Sequence, residues 1–192
     1  MIEKAILRKQ LLQKRNALDE IWVQKKSQVI CQKILDFLRT RKENHIVLPA
    51  YAAFGKEADL SYLFQRIFKG ELLEKKITLA LPRIWGREMK FFEFKRNTPL
   101  ERSSYGILEP GPWETEIVPK GALVLVPGVG FHKNKQRLGY GAGFYDAYFN
   151  LHRDNALYGV AFAFQCGQEF ETRPEDIAVR GIFTEQIGKG YE

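Results

Sequence analysis

An unbroken apolar run, Ala122–Pro127 (ALVLVP), followed by Arg137–Asp146 (RLGYGAGFYD), constrains this chain more than any other feature. The run reads as a buried strand, and the aromatic segment Phe144–Leu151 that follows reads as a helix. The order is therefore strand, loop, glycine turn, helix. Gly139, Gly141 and Gly143 alternate, which lets the backbone take positive φ and approach a ligand with no Cβ in the way. Successive amides at such a turn, continued by a helix N-terminus, form a cradle for phosphate. Arg137 adds a planar fork suited to phosphate oxygens. Asp146 falls in the first helical turn, where a carboxylate can hold Mg²⁺ against those phosphates. A tight strand–helix turn, with Asp146 placed by the helix dipole alone, accounts for the same spacing.

Elements alternate along the rest of the chain, with no repeat and no low-complexity linker. Residues 2–17 and 20–39 read as helices, the second carrying Trp22, Val29, Ile30, Ile34, Phe37 and Leu38 at helical spacing. His45–Phe54 reads as a strand, Leu60–Phe68 as a helix closed by Gly70, and Ile77–Pro82 as a strand. Lys90–Phe94 reads as an edge strand, and Pro99–Lys120, rich in Pro, Gly and charge, as a long surface connection. Ala122–Val126, Leu157–Phe164 and Gly181–Thr184 complete the strands. Such alternation predicts a mainly parallel α/β sheet covered on both faces. Ligands in such sheets bind outside the carboxyl ends of the strands, where the glycine turn lies.

A chain of 192 residues with 45% hydrophobic residues buries a substantial core as one domain. Cys31 and Cys166 have neither metal-ligand spacing nor a disulfide framework, so reduced thiols are expected. The N-terminus lacks a signal-like apolar stretch, and no run of about 18 apolar residues offers a membrane span; a cytoplasmic protein is expected. Thirty Lys+Arg against 23 Asp+Glu give a net charge of +7, which favours anionic partners. Nucleic acid is one such class, but no nucleic-acid-binding module is present. On the first helix Lys4, Arg8 and Arg15 fall within roughly 40° of one another. That stripe either lies along a triphosphate or is a solvated basic face.

RLGYGAGFYD resembles the signature of the 5-formyltetrahydrofolate cyclo-ligase family, also called methenyltetrahydrofolate synthetases. The family pattern is roughly R-L-G-x-G-x-G-Y-Y-D after a strand ending P-G-x-x-F, and Pro127, Gly128 and Phe131 stand in register with it. Phe144 replaces the first tyrosine. The resemblance touches both termini and implies a three-layer α/β/α single domain over residues 1–192, of the NagB/RpiA/CoA-transferase-like kind. It implies an ATP- and Mg²⁺-dependent enzyme that converts 5-formyltetrahydrofolate to 5,10-methenyltetrahydrofolate, releasing ADP and phosphate. The formyl oxygen is phosphorylated and the ring then closes.

By that resemblance ATP is bound by Lys4, Arg8 and the loop Arg137, Leu138, Gly139, Tyr140, Gly141, Ala142, Gly143, Phe144 and Tyr145. Tyr51, Glu57 and Tyr145 border the folate; Asp146 and Asp176 hold Mg²⁺; Arg137 and Tyr145 stand nearest the chemistry. Arg15 occupies a third basic position, as ligand contact or as structure. The partners implied are reduced folate and ATP, with no nucleic acid or membrane, and a monomer is expected. Pro82, Met89–Phe92, Glu109–Pro110 and Thr184–Glu185 also match family positions, the first three reading as scaffold. Trp85 and Trp113 read as half-buried loop residues rather than pterin-stacking platforms.

Departures from the family pattern are Leu60 for threonine, His132 and Lys135 where aspartate and then glycine are usual, and Arg180 for aspartate. They keep one alternative open, a paralogue that binds ATP without folate activity. Two further alternatives are a sugar-phosphate-type enzyme on a similar scaffold, which leaves the Lys4/Arg8 stripe unexplained, and a nucleic-acid-binding module, which gives Glu57 and Asp146 no role.

Overall fold

The computed structural model describes residues 2–186. Helices α1 (Lys4–Asn16) and α2 (Glu20–Thr40) come first. Asp19 starts the second by accepting the Trp22 amide at 2.9 Å, which ties down one of the helix's free N–H groups. Then follow β1 (His45–Pro49), α3 (Ser61–Phe68), β2 (Lys76–Trp85) and β3 (Glu88–Glu93). Three short strands come next: β4 (Leu100–Arg102), β5 (Leu108–Pro110) and β6 (Glu116–Ile117). The last part holds β7 (Leu123–Pro127), β8 (Gly130–Phe131), β9 (Arg137–Leu138), α4 (Phe144–Leu151), β10 (Ala156–Val160) and β11 (Gly181–Phe183).

The main strands form two ladders, β1-β2-β3-β6 and β11-β10-β7, brought together where β1 lies beside β7. Pairing is parallel for β1/β2, β7/β10 and β10/β11, and antiparallel for β2/β3 and β3/β6. β3 is thus an interior strand, not the expected edge. Residues of β7 alternate between two cores, as a strand period of two requires. Leu123 and Leu125 pack with Ile30, Ile34 and Leu38 of α2 and Leu63 of α3. Val124 and Val126 pack with Phe149 of α4 and with Ile177 and Val179. Both faces are covered, which is why ALVLVP contains no polar alternation. Helix α1 buries Leu7 and Leu11 against Val129, Leu138 and Phe170, beside the β8–β9 hairpin.

Three further expectations change. The first strand stops at Pro49 instead of Phe54, and the 50–60 loop turns Tyr51 and Glu57 inward. The expected surface connection 99–120 contains the β4–β5 hairpin and β6; its strands are too short for alternation to register. The strand expected to reach Phe164 ends at Val160, because Gln165 accepts the Phe162 amide at 3.0 Å and draws the chain into a 3₁₀ turn.

The β8–β9 hairpin, read in sequence as loop, explains two departures from the family pattern. Its turn closes through His132 N–H to Gln136 O and Lys135 N–H to His132 O, both 2.8 Å. Lys135 sits at φ +70°, a conformation that costs an L side chain about 1–2 kcal/mol. His132 is buried edge-on against Phe170, so it is part of the fold and not surface decoration. Lys135→Gly is expected to raise unfolding free energy by roughly 1 kcal/mol, the relief of strain exceeding glycine's greater chain entropy. A urea midpoint that fails to rise at unchanged slope would remove this account of the turn.

No helix among the described residues is long and apolar enough to cross a membrane. Cys31 and Cys166 are free and buried, and burial pushes both thiols up to about 12, far from thiolate reactivity at neutral pH.

Candidate active site

β1 ends at Pro49, whereas β2, paired with it through Ala80, runs on to Trp85. The far half of β2 therefore has an open side, and a cavity of ≈ 210 Å³ forms there. Pro82 and Ile84 of β2, with Met89 across the ladder, make one apolar wall. Tyr105, Ile107 and Glu109 of the β4–β5 hairpin close a second side. Tyr51 and Glu57 enter from the loop after β1. Pro127, at the end of β7, and the glycine loop from Gly139 to Tyr145 complete it. The cavity thus lies at the carboxyl ends of parallel strands, as sheets of this kind dictate, and is apolar with few polar groups.

Arg137 lies beneath the glycine loop and is only 6% exposed. Its Nε donates to Pro127 O at 2.8 Å, Nη1 reaches Asp146 Oδ2 at 3.4 Å, and the guanidinium lies 4.7 Å from the Tyr145 ring centre. A Cβ on Gly139 would stand 2.7 Å from Arg137 Nη1, so glycine is needed there for the guanidinium's approach. At Gly141 and Gly143 the reason is backbone: φ is +112° and +76°. Gly143 leads directly into α4, leaving the first amides of that helix open to a ligand. Leu138 is buried in the α1 core, and its carbonyl accepts the Val129 amide at 2.8 Å. Arg8 donates Nε to Gly139 O at 2.8 Å and lies along Gly141, so α1 does meet the loop.

Lys4 is paired with Asp176, its Nζ donating to Oδ1 at 2.8 Å and Oδ2 at 2.5 Å. Asp176 Oδ2 also accepts the Arg173 amide at 2.7 Å. Asp146 Oδ1 accepts the amide of Ile177, the residue after Asp176, at 3.3 Å. The two candidate metal ligands are therefore neighbours, each already facing a cation of the protein. No cluster of three or more acidic, histidine or cysteine ligands occurs among the described residues.

Arg15 and Glu57 form a buried pair, 2% and 6% exposed, with Nη1 3.7 Å from Oε1. Between them stands the Tyr140 hydroxyl, which accepts from Arg15 Nη2 and donates to Glu57 Oε1 at 2.8 Å. The Phe54 amide holds Oε2 at 2.9 Å. Burial pushes the Glu57 carboxyl up; Arg15, the Phe54 amide and Tyr140 pull it back without cancelling the rise. Tyr51 spends its hydroxyl on Ala58 O at 2.7 Å and offers the cavity its ring. Burial raises the Tyr145 phenol well above its ordinary value, with Arg137 opposing. Tyr145 is therefore a protonated hydrogen-bond donor at neutral pH and not a base.

Pro82, Met89 and Glu109, expected to be scaffold, line the cavity, and so does Tyr105, which the sequence reading did not single out. Matching family positions did not reveal that Pro82, Met89 and Glu109 line a cavity, because the cavity exists only once β2, β3 and the β4–β5 hairpin are brought together. Trp85 and Trp113 are 51% and 64% exposed and stand outside the cavity. Its aromatic contacts are instead Phe54 with Tyr140 and Tyr105 with Phe144, both edge-on. Arg180 acts through its backbone, donating to Leu157 O and accepting Lys135 Nζ. Thr184 O takes Lys33, and Glu185 accepts the Ala163 amide at 2.9 Å. Leu60 is fully buried ahead of α3, and Asp59 accepts the Ser61 amide in its place.

Comparison with known proteins bears on the whole chain. Residues 1–185 match the family model described as the 5-formyltetrahydrofolate cyclo-ligase family. A 5-formyltetrahydrofolate cyclo-ligase of Mycoplasma pneumoniae is 30% identical over 96% of this chain and 100% of its own length. That of Mycoplasma genitalium is 31% identical, covering 92% of this chain and 94% of its own. The fold is similar to the solved 5,10-methenyltetrahydrofolate synthetase of Aquifex aeolicus, with TM-score 0.79, 29% identity, and coverage of 95% of this chain and 90% of that one.

Proposed function

The chain belongs to the 5-formyltetrahydrofolate cyclo-ligase family, and on that footing we propose that it closes the ring of 5-formyltetrahydrofolate with ATP and Mg²⁺ in the cavity between β2 and the glycine loop. It is a ligase, and its product is 5,10-methenyltetrahydrofolate. The observation that carries the placement is the convergence of the glycine loop, buried Arg137 and the Glu57 carboxylate on one mostly apolar cavity.

In this reading ATP supplies the phosphoryl group that turns the formyl oxygen into a leaving group. The loop amides from Gly139 to Phe144, with Arg8 beside them, hold the triphosphate. Arg137, anchored on Pro127 O, offsets charge that develops during transfer; such preplaced charge is often worth several kcal/mol. Mg²⁺ takes only one or two protein carboxylates, and Asp146 and Asp176 are the residues that would hold it, in which case Lys4 would be released from Asp176 to pair with the triphosphate. Mg²⁺ neutralises phosphate charge when bound. Glu57 accepts hydrogen bonds from the folate, and Tyr145 donates one near the formyl group. The remaining aryl-amine nitrogen then attacks the activated carbon, phosphate departs and that nitrogen loses its proton.

The test is a spectrophotometric assay of purified protein with 5-formyltetrahydrofolate and Mg²⁺, with and without ATP. ATP-dependent growth of the product's near-ultraviolet band is expected. ATP binding without that band would mark a paralogue acting on another substrate, and the absence of both would remove the reading of the loop.

A further inference from the structure

Glu109 is a buried carboxyl in the cavity wall for which the reaction as derived above has no use. It lies on β5, is 3% exposed, and has Ile84, Met89 and Ile107 as fellow lining residues. The positive charge that acts on it, Arg83, is committed elsewhere. Arg83 Nη1 donates to Glu101 Oε2 at 3.0 Å and to Pro110 O at 2.7 Å. Glu109 itself forms no ion pair among the described residues. The Ile84 amide and the Ser103 hydroxyl lower its pKa, yet burial outweighs them and holds the carboxyl above its ordinary value. A carboxylate has about four acceptor positions, and Glu109 lines the cavity with that capacity available to a ligand. A buried carboxyl short of partners lowers stability, and such groups cluster at functional sites.

We propose that Glu109 is a substrate-recognising residue that accepts hydrogen bonds from the N–H groups of the reduced pterin ring. The inference rests on the proposed folate reaction and adds the group that orients the ring. Chemistry selects the pterin. The triphosphate and the glutamate tail are anionic and are repelled by a carboxylate, and the formyl oxygen is itself an acceptor. The pterin is uncharged, flat enough for the apolar wall of Pro82, Ile84 and Met89, and edged with N–H donors. Glu57 and Glu109 then grip the folate from two segments of the chain, the first compensated by Arg15 and the second by the ligand.

The experiment compares wild type, Glu109→Leu and Glu109→Gln by steady-state kinetics, by calorimetric titration with 5-formyltetrahydrofolate, and by thermal unfolding. For Glu109→Leu, folate KM and Kd are expected to rise roughly 30-fold, the loss of a hydrogen bond to a charged acceptor, while the KM for ATP stays within about twofold. Its Tm is expected to hold or rise, because a buried carboxyl without a cation is removed. Glu109→Gln keeps a carbonyl acceptor and is expected to restore folate affinity to within about fivefold of wild type. Unchanged folate affinity in Glu109→Leu overturns the proposal. So does a lowered Tm, or failure to fold, since either assigns Glu109 to holding the hairpin. A wild-type protein that binds no reduced folate overturns the proposed function as well, whereas normal wild-type turnover with an indifferent Glu109 overturns only this inference.

Discussion

Arg137→Ala is expected to lower kcat by roughly 10²–10³-fold, the usual cost of removing a preplaced charge from a transfer site. The loss extends to the fold. The guanidinium donates to Pro127 O from within the protein and packs on Tyr145, so alanine leaves that carbonyl short of a donor and opens space beneath the loop. About 2–3 kcal/mol of stability should go with it. Arg137→Lys separates charge from geometry, since lysine carries the charge without the fork. It is expected to remain at least about 10-fold impaired, because one ammonium cannot serve Pro127 O and face a ligand together. Kinetics with urea unfolding of both variants decide this, and a kcat near wild type in Arg137→Ala would end its assignment to the chemistry.

Arg15→Met is expected to cost about 3–5 kcal/mol of stability at neutral pH, because it strands the buried Glu57 carboxylate. The pH dependence distinguishes charge from packing. Glu57 already has a folded-state pKa above its ordinary value, with Arg15 the largest influence pulling it down. Removing Arg15 raises that pKa further. A carboxyl raised on folding holds its proton more tightly in the folded chain. Its favourable contribution is present below the unfolded pKa and is lost as pH rises through the folded one. The deficit of Arg15→Met should therefore be small near about pH 4 and grow toward neutrality. Arg15→Met/Glu57→Gln should recover most of it, since no charge remains to strand. A deficit equal at both pH values and unrelieved in the double variant would assign Arg15 to packing alone. Glu57→Gln by itself leaves Arg15 buried without its carboxylate, and completes the cycle.

The glycine loop was readable because its demands are local. Positive φ at Gly141 and Gly143 and the helix that starts after Gly143 depend on residues a few positions apart. ALVLVP was readable as a doubly buried strand for the same reason, and the stripe on α1 followed from helical period. The position of Arg137 below the loop was not readable. It depends on Pro127 O, ten residues away, and so does the real reason for Gly139. The Lys4–Asp176 pair joins residues 172 positions apart, and the Tyr140–Glu57 bond joins residues 83 apart. No spacing rule reaches across such distances.

Sequence by itself determined the α/β alternation, the strand–glycine turn–helix unit, the family, and the residues that meet at one end of the sheet. Tertiary structure alone decided which of those residues line the cavity and which face each other. It also turned an apparent surface connection into a cavity wall carrying Glu109. The physical reason is that local periodicity encodes how a segment folds and which face it buries. Burial, ion pairing and cavity shape arise only when β1 stops short beside β2 and leaves space that the loop, the hairpin and α1 must fill together.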